Sequence, residues 1–437
     1  LHDALPIYND LGWIYTVQSY YDGTNPRGCV KCILDGVVAV LDADRNRKFS
    51  YVEIGFFKMW WDQQNSTTKS LVRKLVANGQ FEFLNAGIVM NDEAATYYDD
   101  IIEQMSRGLQ FVQNEFNFTV RTGWHIDPFG HSAAQASIFS QMGFNSWLFE
   151  RIDYEDYDYR TSKNGPGLEM LWRPKTYSED NYLLGHVNYM TYFKAPLDWC
   201  IDMICYQSTS LFEAMQKVLQ YVPWVINQQQ FFITNNVLHH IGGDFEYGDD
   251  AEENFRGLEF VMDFINAHPQ LNITAFFSTP RNYTDMVYEA FLKNKTKPLP
   301  LKTDDFFPYA DQPNAFWTGY YTSRAALKFP IRRFGQRLQT VKKIYSKMLI
   351  QNRSYSKLTY TKINDPLDFF EEVQGILQHH DAITGTATQN VTSDYINMTI
   401  DADNMNNPVR YHFYLFKIYR SCIQSSQTFQ KLLTTRS

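Results

Sequence analysis

Long apolar runs are missing from this 437-residue sequence, and no stretch approaches the about 18 apolar residues that a bilayer-spanning helix needs. A basic excess is missing as well, because 40 Lys and Arg face 48 Asp and Glu, for a formal net charge of −8. We therefore expect neither a membrane nor nucleic acid as a partner. The hydrophobic fraction of 44% and the charged fraction of 20% are typical of globular proteins, and the length predicts two or three domains.

Cysteine is scarce, and its five copies cannot all pair with one another. Cys200 and Cys205 are close enough in sequence for a small disulfide loop, which we predict. Cys29-x-x-Cys32 fits either a disulfide or half of a zinc knuckle, and no second Cys pair follows at zinc-site spacing. Eight N-x-S/T sequons and the predicted disulfide favour a secretory or lysosomal lumen. The sequons begin at Asn65, Asn117, Asn272, Asn282, Asn294, Asn352, Asn390 and Asn397.

Strand-like and helical segments alternate over roughly the first 300 residues, which is the pattern of a parallel α/β sheet or barrel. Helical spacing dominates afterwards, over 327–348, 367–377 and about 408–433. Three such segments joined by loops predict a helical bundle.

One stretch, Gly-Trp-His-Ile-Asp-Pro-Phe-Gly-His-Ser at 123–132, concentrates an acid and two histidines on a predicted turn. We predict a strand over 118–121 before it and a helix after it. Asp127 and His131 would then lie at the carboxyl end of a strand, where α/β enzymes place their chemistry. The pattern leaves a simpler role open, in which the aspartate caps the next helix and the histidines are bonded locally.

Acidic and histidine residues recur in other predicted loops, at Asp10, at Asp244 after two glycines, and in the cluster His379-His380-Asp381. Two aspartates and a histidine are suitable ligands for Zn²⁺, and a further carboxylate could act as a general acid. The residues alone therefore favour a metal-assisted hydrolase of the α/β class, although each of them taken singly is more often structural.

Six motifs follow one another along the chain. They are Asn-Asp-Leu-Gly-Trp at 9–13, Met-Asn-Asp-Glu-Ala at 90–94, Trp-His-Ile-Asp-Pro-Phe-Gly-His-Ser at 124–132, Asp-Phe-Phe-Pro-Tyr-Ala-Asp at 305–311, Phe-Trp-Thr-Gly-Tyr at 316–320, and His-His-Asp-Ala to Gly-Thr at 379–386. Together they resemble glycoside hydrolase family 38, the zinc-dependent class II α-mannosidases, and within it the lysosomal branch. The resemblance implies a seven-stranded parallel α/β barrel-like catalytic domain over 8–300, followed by a three-helix bundle over 301–435 that contributes to the active site. The β-rich C-terminal domains of the family have no counterpart in this chain.

The resemblance also implies roles for individual positions. Asp127 matches the nucleophile, which is at the same time a zinc ligand, and Asp10 and His380 match two further ligands of the single Zn²⁺. Asp244 matches the general acid/base. The fourth ligand of the family is a histidine, and Tyr8 occupies its position here; because a phenol loses its proton only near pH 10 in water, we expect weaker zinc binding. The positions that match substrate contacts are Trp13, Phe129, Arg151, Trp317 and Asp381.

The implied function is that of a retaining, zinc-dependent exo-α-mannosidase that removes terminal α-mannosides from N-glycan oligosaccharides in a lysosomal or vacuolar lumen. The resemblance leaves a homo-oligomer of the full-length protein open. It also leaves three alternatives open: a Golgi-type α-mannosidase II, a mannan-binding protein inactivated by Tyr8 and by truncation, and a zinc hydrolase of esters or amides.

Both ends of the chain carry another pattern. Residues 1–7, Leu-His-Asp-Ala-Leu-Pro-Ile, match the translation of a common sequencing-library adapter, and Arg436-Ser437 match the start of its reverse complement. We therefore expect residues 1–7 to be an adapter-derived scar. An adapter that ends in one further T would also produce Tyr8 from a histidine codon.

Overall fold

The computed structural model describes residues 1–4, 6–174, 181–189, 211–248, 251–294, 298–351 and 366–405. Within these ranges, short strands form three small sheets that are surrounded by helices, with orders β10-β1-β9, β2-β3-β4 and β11-β7-β8-β6-β5. The strands are β1 (His2–Ala4), β2 (Pro6–Ile7), β3 (Phe49–Tyr51), β4 (Phe81–Phe83), β5 (Thr122–His125), β6 (Ser146–Phe149), β7 (Glu169–Trp172), β8 (Leu183–Val187), β9 (Leu238–His240), β10 (Phe276–Ser278) and β11 (Leu301–Lys302).

The α/β class is confirmed, but a seven-stranded parallel barrel is not found among the described residues. The sheets are separate, and β7 pairs with β8 in the antiparallel direction, whereas the other pairs are parallel. The strands have two to five residues each, and neighbouring sheets also contact one another outside their ladders. One such contact joins β4 to β5, since the Asn85 N–H donates to the Thr122 carbonyl over 2.9 Å.

The helices that follow the strands have the apolar faces that the sequence predicts. In α5, for example, Ile101, Met105 and Val112 are buried at helical spacing, and Asn117 ends the helix in the left-handed conformation. The helices up to residue 294 are α1 (Val17–Asp22), α2 (Val30–Ala43), α3 (Ile54–Gln63), α4 (Ser66–Ala77), α5 (Tyr98–Phe116), α6 (Ala133–Gln141), α7 (Tyr154–Arg160), α8 (Leu211–Gln229), α9 (Ala251–Asn266) and α10 (Pro280–Asn294).

Three further helices follow in the described chain: α11 (Ala325–Gln351), α12 (Pro366–Ile376) and α13 (389–405). The first two were predicted, and α12 packs against both α11 and α5, which joins this part of the chain to the α/β part. The segment 389–405 was not predicted to be helical. The helix that we predicted over 408–433 lies outside the described residues, so the three-helix bundle over 301–435 stays a prediction.

Two local predictions were wrong. The strand expected over 118–121 forms instead at Thr122–His125, where all four residues are buried. The acidic pair Asp92-Glu93 before a run of helical apolar spacing predicts the start of a long helix, but the Asp92 side chain accepts hydrogen bonds from the N–H groups of Ala94 and Ala95 and makes a turn there. The helix α5 begins only at Tyr98.

Cys29 and Cys32 form a disulfide, which decides between the two roles left open for that pair. The predicted Cys200–Cys205 disulfide lies outside the described residues. No helix in the described part of the chain is long and apolar enough to cross a membrane.

Residues 2–4 and 6–7 lie in strands β1 and β2 and connect two of the sheets. An adapter origin of residues 1–7 stays a prediction, and the genomic sequence of this locus tests it: finding these codons in the genome would refute it.

The loop after β2 is held by α13. The Tyr395 hydroxyl lies 2.7 Å from the carbonyl oxygens of both Leu11 and Gly12. Gly12 has φ +97°, and an added Cβ would lie 2.4 Å from that hydroxyl oxygen, so the close approach requires glycine.

Replacement of Tyr395 by Phe should lower the free energy of unfolding by about 1–3 kcal/mol, because it leaves two buried carbonyls without their donor. Denaturant unfolding followed by circular dichroism measures this. Tyr288, which is 62% exposed, provides the control, and its replacement by Phe should change stability by no more than about 0.5 kcal/mol. Equal losses for both variants would contradict the anchoring role of Tyr395.

Candidate active site

Most of the candidate residues lie just beyond the carboxyl ends of strands. Tyr8 follows β2, Asp127 follows β5, Arg151 follows β6, and Asp244 follows β9. His380 comes from the turn after α12, so the second part of the chain completes the group. The prediction that Asp127 lies at the end of a strand is confirmed, although the strand is four residues later than expected.

Asp127 and His380 lie at the centre of this group, although they are 253 positions apart in the sequence. The His380 Nε2 atom lies 2.8 Å from Asp127 Oδ2 and 3.5 Å from Asp10 Oδ1. Its other ring nitrogen, Nδ1, lies 2.8 Å from the carbonyl oxygen of Met90 and must donate to it, which directs Nε2 toward the two carboxylates.

The charges of this group shift one another's pKa. Burial alone would raise the pKa of Asp127, but the guanidinium of Arg151 and the His380 imidazolium outweigh it and hold the pKa below its ordinary value. Burial also opposes the charge on His380, but Asp127 and Asp10 raise its pKa well above the usual value. The pKa of Asp10 is raised, mainly by burial and less by the neighbouring Asp244 and Asp381. Without a metal ion, His380 is therefore a second cation of the group beside Arg151.

The pKa of the Asp244 carboxyl group is shifted in the opposite direction from that of Asp127. Burial and the negative charge of Asp127 raise the pKa of Asp244 to about 6. The Tyr8 hydroxyl donates to Asp127 Oδ2 over 3.2 Å, and it is also close enough to Asp244 to lower the pKa of that carboxyl group, so one phenol neighbours both carboxyl groups. Two neighbouring carboxylates with separated pKa values are typical of an acid/base pair.

Arg151 and a group of aromatic rings form one wall of the site. The guanidinium contacts Asp127 directly and lies 5.4 Å from the Phe129 ring centroid and 5.2 Å from that of Trp317. Phe129 and Trp317 are 5.0 Å apart, and Tyr309 and Tyr320 pack behind them. The structure therefore brings three of the five predicted substrate contacts together.

The other two predicted contacts, Trp13 and Asp381, lie near the ligand loops. Trp13 packs partly against the main hydrophobic core, and the Arg27 guanidinium lies 4.7 Å from the centre of its ring. Its carbonyl accepts from the N–H of Thr388 over 2.9 Å, so it is attached to the start of α13. Asp381 is buried, accepts from the Thr386 hydroxyl, and lies 3.5 Å from His379 Nε2.

The residues present fit a divalent metal ion with nitrogen and oxygen ligands. Asp10, His379, His380 and Asp381 bring their ligand atoms within 4.8 Å of one another. Asp10 Oδ1 is buried and lacks a hydrogen-bond partner among the described residues, although it faces two histidine nitrogens at 3.5 and 3.6 Å. These separations exceed a hydrogen bond and suit two ligands of one ion with bonds of about 2.0–2.1 Å.

Sequence reasoning named His379 only as part of the His379-His380-Asp381 cluster and gave Glu93 no role. His379 stands in the His-His-Asp run but was given no role of its own, although its pKa is lowered to about 4, chiefly by burial. Glu93 contacts both histidines of the 123–132 stretch. The motif that contains Glu93 was recognised, but its contact with a loop more than thirty residues away has no local signal.

Paired carboxylates beside metal-ligand side chains, at the ends of strands and next to aromatic rings, are the arrangement of a glycoside hydrolase. The sequence profile of the glycosyl hydrolases family 38 N-terminal domain matches residues 7–312, and that of the α-mannosidase middle domain matches residues 315–406. The chain therefore belongs to glycoside hydrolase family 38, as the motifs indicated.

Characterised relatives agree with this assignment. The chain is 37% identical over 407 residues to the lysosomal α-mannosidase of Dictyostelium discoideum, and 37% identical over 415 residues to that of Felis catus. Each match covers 90% of this chain but only 39% and 40% of the relative, so the chain spans about two fifths of the length of these relatives.

Solved structures show the same fold. An α-mannosidase from Enterococcus faecalis superposes with a TM-score of 0.64 at 14% identity, over 94% of this chain and 42% of its own. A branching enzyme from Pyrococcus horikoshii superposes with a TM-score of 0.56 at 9% identity, over 94% of this chain and 91% of its own.

Replacement of His380 by Gln tests the electrostatics of the site in protein kept free of metal by a chelator. A raised pKa in the folded state stabilises the protein fully below the unfolded value of about 6.5, and this contribution disappears as the pH rises through the folded value. The loss of unfolding free energy in the variant should therefore be larger at pH 6 than at pH 9. A loss of unfolding free energy that is constant or grows with pH would contradict a protonated His380 in the folded protein.

Proposed function

We propose that this protein is a retaining, zinc-dependent exo-α-mannosidase that hydrolyses terminal α-mannosides of N-glycan oligosaccharides. The observation that carries the proposal is the pair of carboxyl groups after β5 and β9: Asp127, which contacts both His380 and Arg151, and Asp244, whose pKa is raised to about 6. Family membership and the named activity of the relatives support the substrate class.

The connection through Tyr8 supports retention of configuration. The Tyr8 hydroxyl lies 3.2 Å from Asp127 Oδ2 and is also close enough to Asp244 to lower the pKa of that carboxyl group, so the two carboxyl groups are neighbours. Inverting enzymes need about 6.5–9.5 Å between their carboxyl groups to admit a water molecule, whereas retaining enzymes use about 5–5.5 Å.

In the first step, the Asp127 carboxylate attacks the anomeric carbon while the glycosidic C–O bond breaks and Asp244 gives its proton to the leaving oxygen. Arg151, which contacts Asp127, keeps this carboxylate ionised and directs it. In the second step, Asp244 takes a proton from water, the water oxygen attacks the anomeric carbon, and the bond to Asp127 breaks. Asp127 and Asp244 then have their original protonation states.

Asp10, Asp127 and His380 would hold the zinc ion, with His379 and Asp381 beside them. When bound, zinc would bind sugar hydroxyls as a Lewis acid and favour the distorted ring of an oxocarbenium-like transition state. Tyr8 is buried at the position of the fourth ligand, where a phenol is a poorer ligand than an imidazole. The chain with Tyr8 should therefore bind zinc weakly.

The wall of Phe129 and Trp317 next to Arg151 provides flat apolar surface for a sugar ring, and Trp13 and Asp381 would complete the contacts. A lysosomal or vacuolar lumen is the proposed compartment, because the relatives include lysosomal α-mannosidases and because an acidic lumen keeps Asp244 protonated.

The proposal is tested by zinc content and by hydrolysis of an aryl α-mannoside at acidic pH, for the protein with Tyr8 and for Tyr8→His. We expect the Tyr8→His protein to retain one zinc ion per chain and to turn over, while the Tyr8 protein binds zinc at least about tenfold more weakly.

The outcomes separate the alternatives. Mannoside binding without turnover in both proteins would favour a mannan-binding protein, and retained zinc with esterase or amidase activity alone would favour another hydrolase. Preference for the branched mannosides that Golgi-type enzymes trim would favour that type. Zinc-free, inert protein in both forms would refute the proposal.

The pH dependence of kcat/KM tests the role of Asp244. Because its folded pKa of about 6 lies above the ordinary value, Asp244 carries its proton at acidic pH and loses it as the pH rises. Activity should fall above about pH 6. Asp244→Asn should abolish this decrease with pH while lowering kcat by about 100-fold or more. If the decrease persists in the variant, another group causes it.

A further inference from the structure

A second buried cluster lies beside the site and belongs to none of the roles described above. Glu93 Oε1 lies 2.7 Å from His125 Nδ1 and 2.8 Å from His131 Nδ1, and Glu93 Oε2 accepts from the N–H of Ser132 over 2.7 Å. The side chains of Glu93 and of both histidines are entirely buried. We propose that Glu93 is a positioning residue that fixes the Asp127 loop, residues 126–131, by binding both of its ends.

The three donors bracket the loop. His125 is the last residue of β5, and Ser132 is the N-cap of α6, with its hydroxyl accepting from the N–H of Gln135. A single carboxylate therefore holds the residue before the Asp127 loop, the last residue of the loop and the residue after it. With both ends fixed on one group, the loop has little freedom to move Asp127.

The segment that carries Glu93 also contacts the other side of the site. The Met90 carbonyl accepts from His380 Nδ1, and the Asp92 N–H donates to the Gln378 carbonyl over 3.0 Å. Residues 90–93 thus bind the Asp127 loop through Glu93 and the His379-His380-Asp381 turn through Met90 and Asp92. The same short segment therefore positions both Asp127 and His380, whose side chains lie 2.8 Å apart.

Hydrogen bonding, rather than metal binding, explains the cluster best. Its three ligand atoms would suit an ion by type, and they lie close together. However, both Nδ1 atoms lie at hydrogen-bond distance from the same oxygen, Glu93 Oε1, at 2.7 and 2.8 Å, and Glu93 Oε2 accepts from the N–H of Ser132, so three donors converge on one carboxyl group. Both imidazoles then donate from Nδ1 to the Glu93 carboxylate.

The chain offers a matched control. Glu169 is also buried, and its carboxylate also accepts from a histidine, a backbone N–H and one further donor, namely from His186 at 3.3 Å, Ile233 at 2.9 Å and Tyr283 at 2.8 Å. It connects β7, β8 and α10, and within the described part of the chain its hydrogen bonds go to no member of the candidate site. Its loss should destabilise the protein as the loss of Glu93 does, without loosening the Asp127 loop.

The first measurement is amide hydrogen exchange of Glu93→Ala and Glu169→Ala, and it does not depend on the proposed function. Exchange in a peptide that covers 126–132 should rise by about tenfold in Glu93→Ala and stay at the wild-type rate in Glu169→Ala. Equal protection of this peptide in both variants would overturn the proposal.

The second measurement rests on the proposed function, since it uses turnover of the aryl α-mannoside at saturating zinc in the Tyr8→His background. Per folded molecule, Glu93→Ala should lower kcat by about 100-fold with KM changed by less than about threefold, because a small misplacement of a reacting group has a cost of this order. Glu169→Ala should keep kcat within about twofold of the parent. Equal kcat values in the two variants would show that Glu93 is merely structural.

A third variant separates geometry from charge. In Glu93→Gln, the amide oxygen can accept from Ser132 while the amide nitrogen donates to Nδ1 of both histidines in their other tautomer. We expect this variant to recover at least about a third of the parental kcat. A kcat as low as that of Glu93→Ala, or a second zinc ion per chain that Glu93→Ala loses, would overturn the positioning role. An inert parent protein would contradict the proposed function alone, because the exchange experiment still tests the loop.

Discussion

The contact between Asp127 and His380 is the constraint on which the rest of the structure depends. A buried carboxylate is costly unless cations and donors surround it, and here a histidine from the second part of the chain and Arg151 from the end of β6 do so. The Met90 carbonyl fixes the histidine through its other nitrogen. The small sheets, the turn after α12 and the segment 90–93 all have to be in place for this one contact to form.

Position 8 is the place where a single residue decides how well the proposed site suits a zinc ion. The Tyr8 phenol is buried and donates its single hydroxyl proton to Asp127, with Asp244 nearby, so it fits the space between the acids. A zinc ligand must instead offer a lone pair to the ion. The same geometry that stabilises the metal-free carboxylates therefore weakens the proposed metal site.

Much of the site could be predicted because its residues stand in compact motifs, as Asp127 and His380 do. The fold was less predictable: β5 forms from Thr-Gly-Trp-His, where the glycine interrupts the strand preference of Thr and Trp, and the burial of all four residues decides the position of the strand. The helix at 389–405 was missed although its Tyr395 anchors the loop after β2. Glu93 was taken for the start of a helix, since nothing near it in sequence reveals its contacts with His125 and His131.

The central claim is that Asp127 forms a bond to the sugar, and mass spectrometry of a trapped adduct tests it most directly. A fluorinated α-mannosyl fluoride reacts in the first step, because fluoride leaves readily, and its ring fluorine slows the second step. Incubation with the zinc-loaded Tyr8→His protein should add one sugar per chain, on the peptide that contains Asp127, and Asp127→Asn should remain unlabelled. Labelling of another carboxylate, or turnover by inversion without any adduct, would contradict the account.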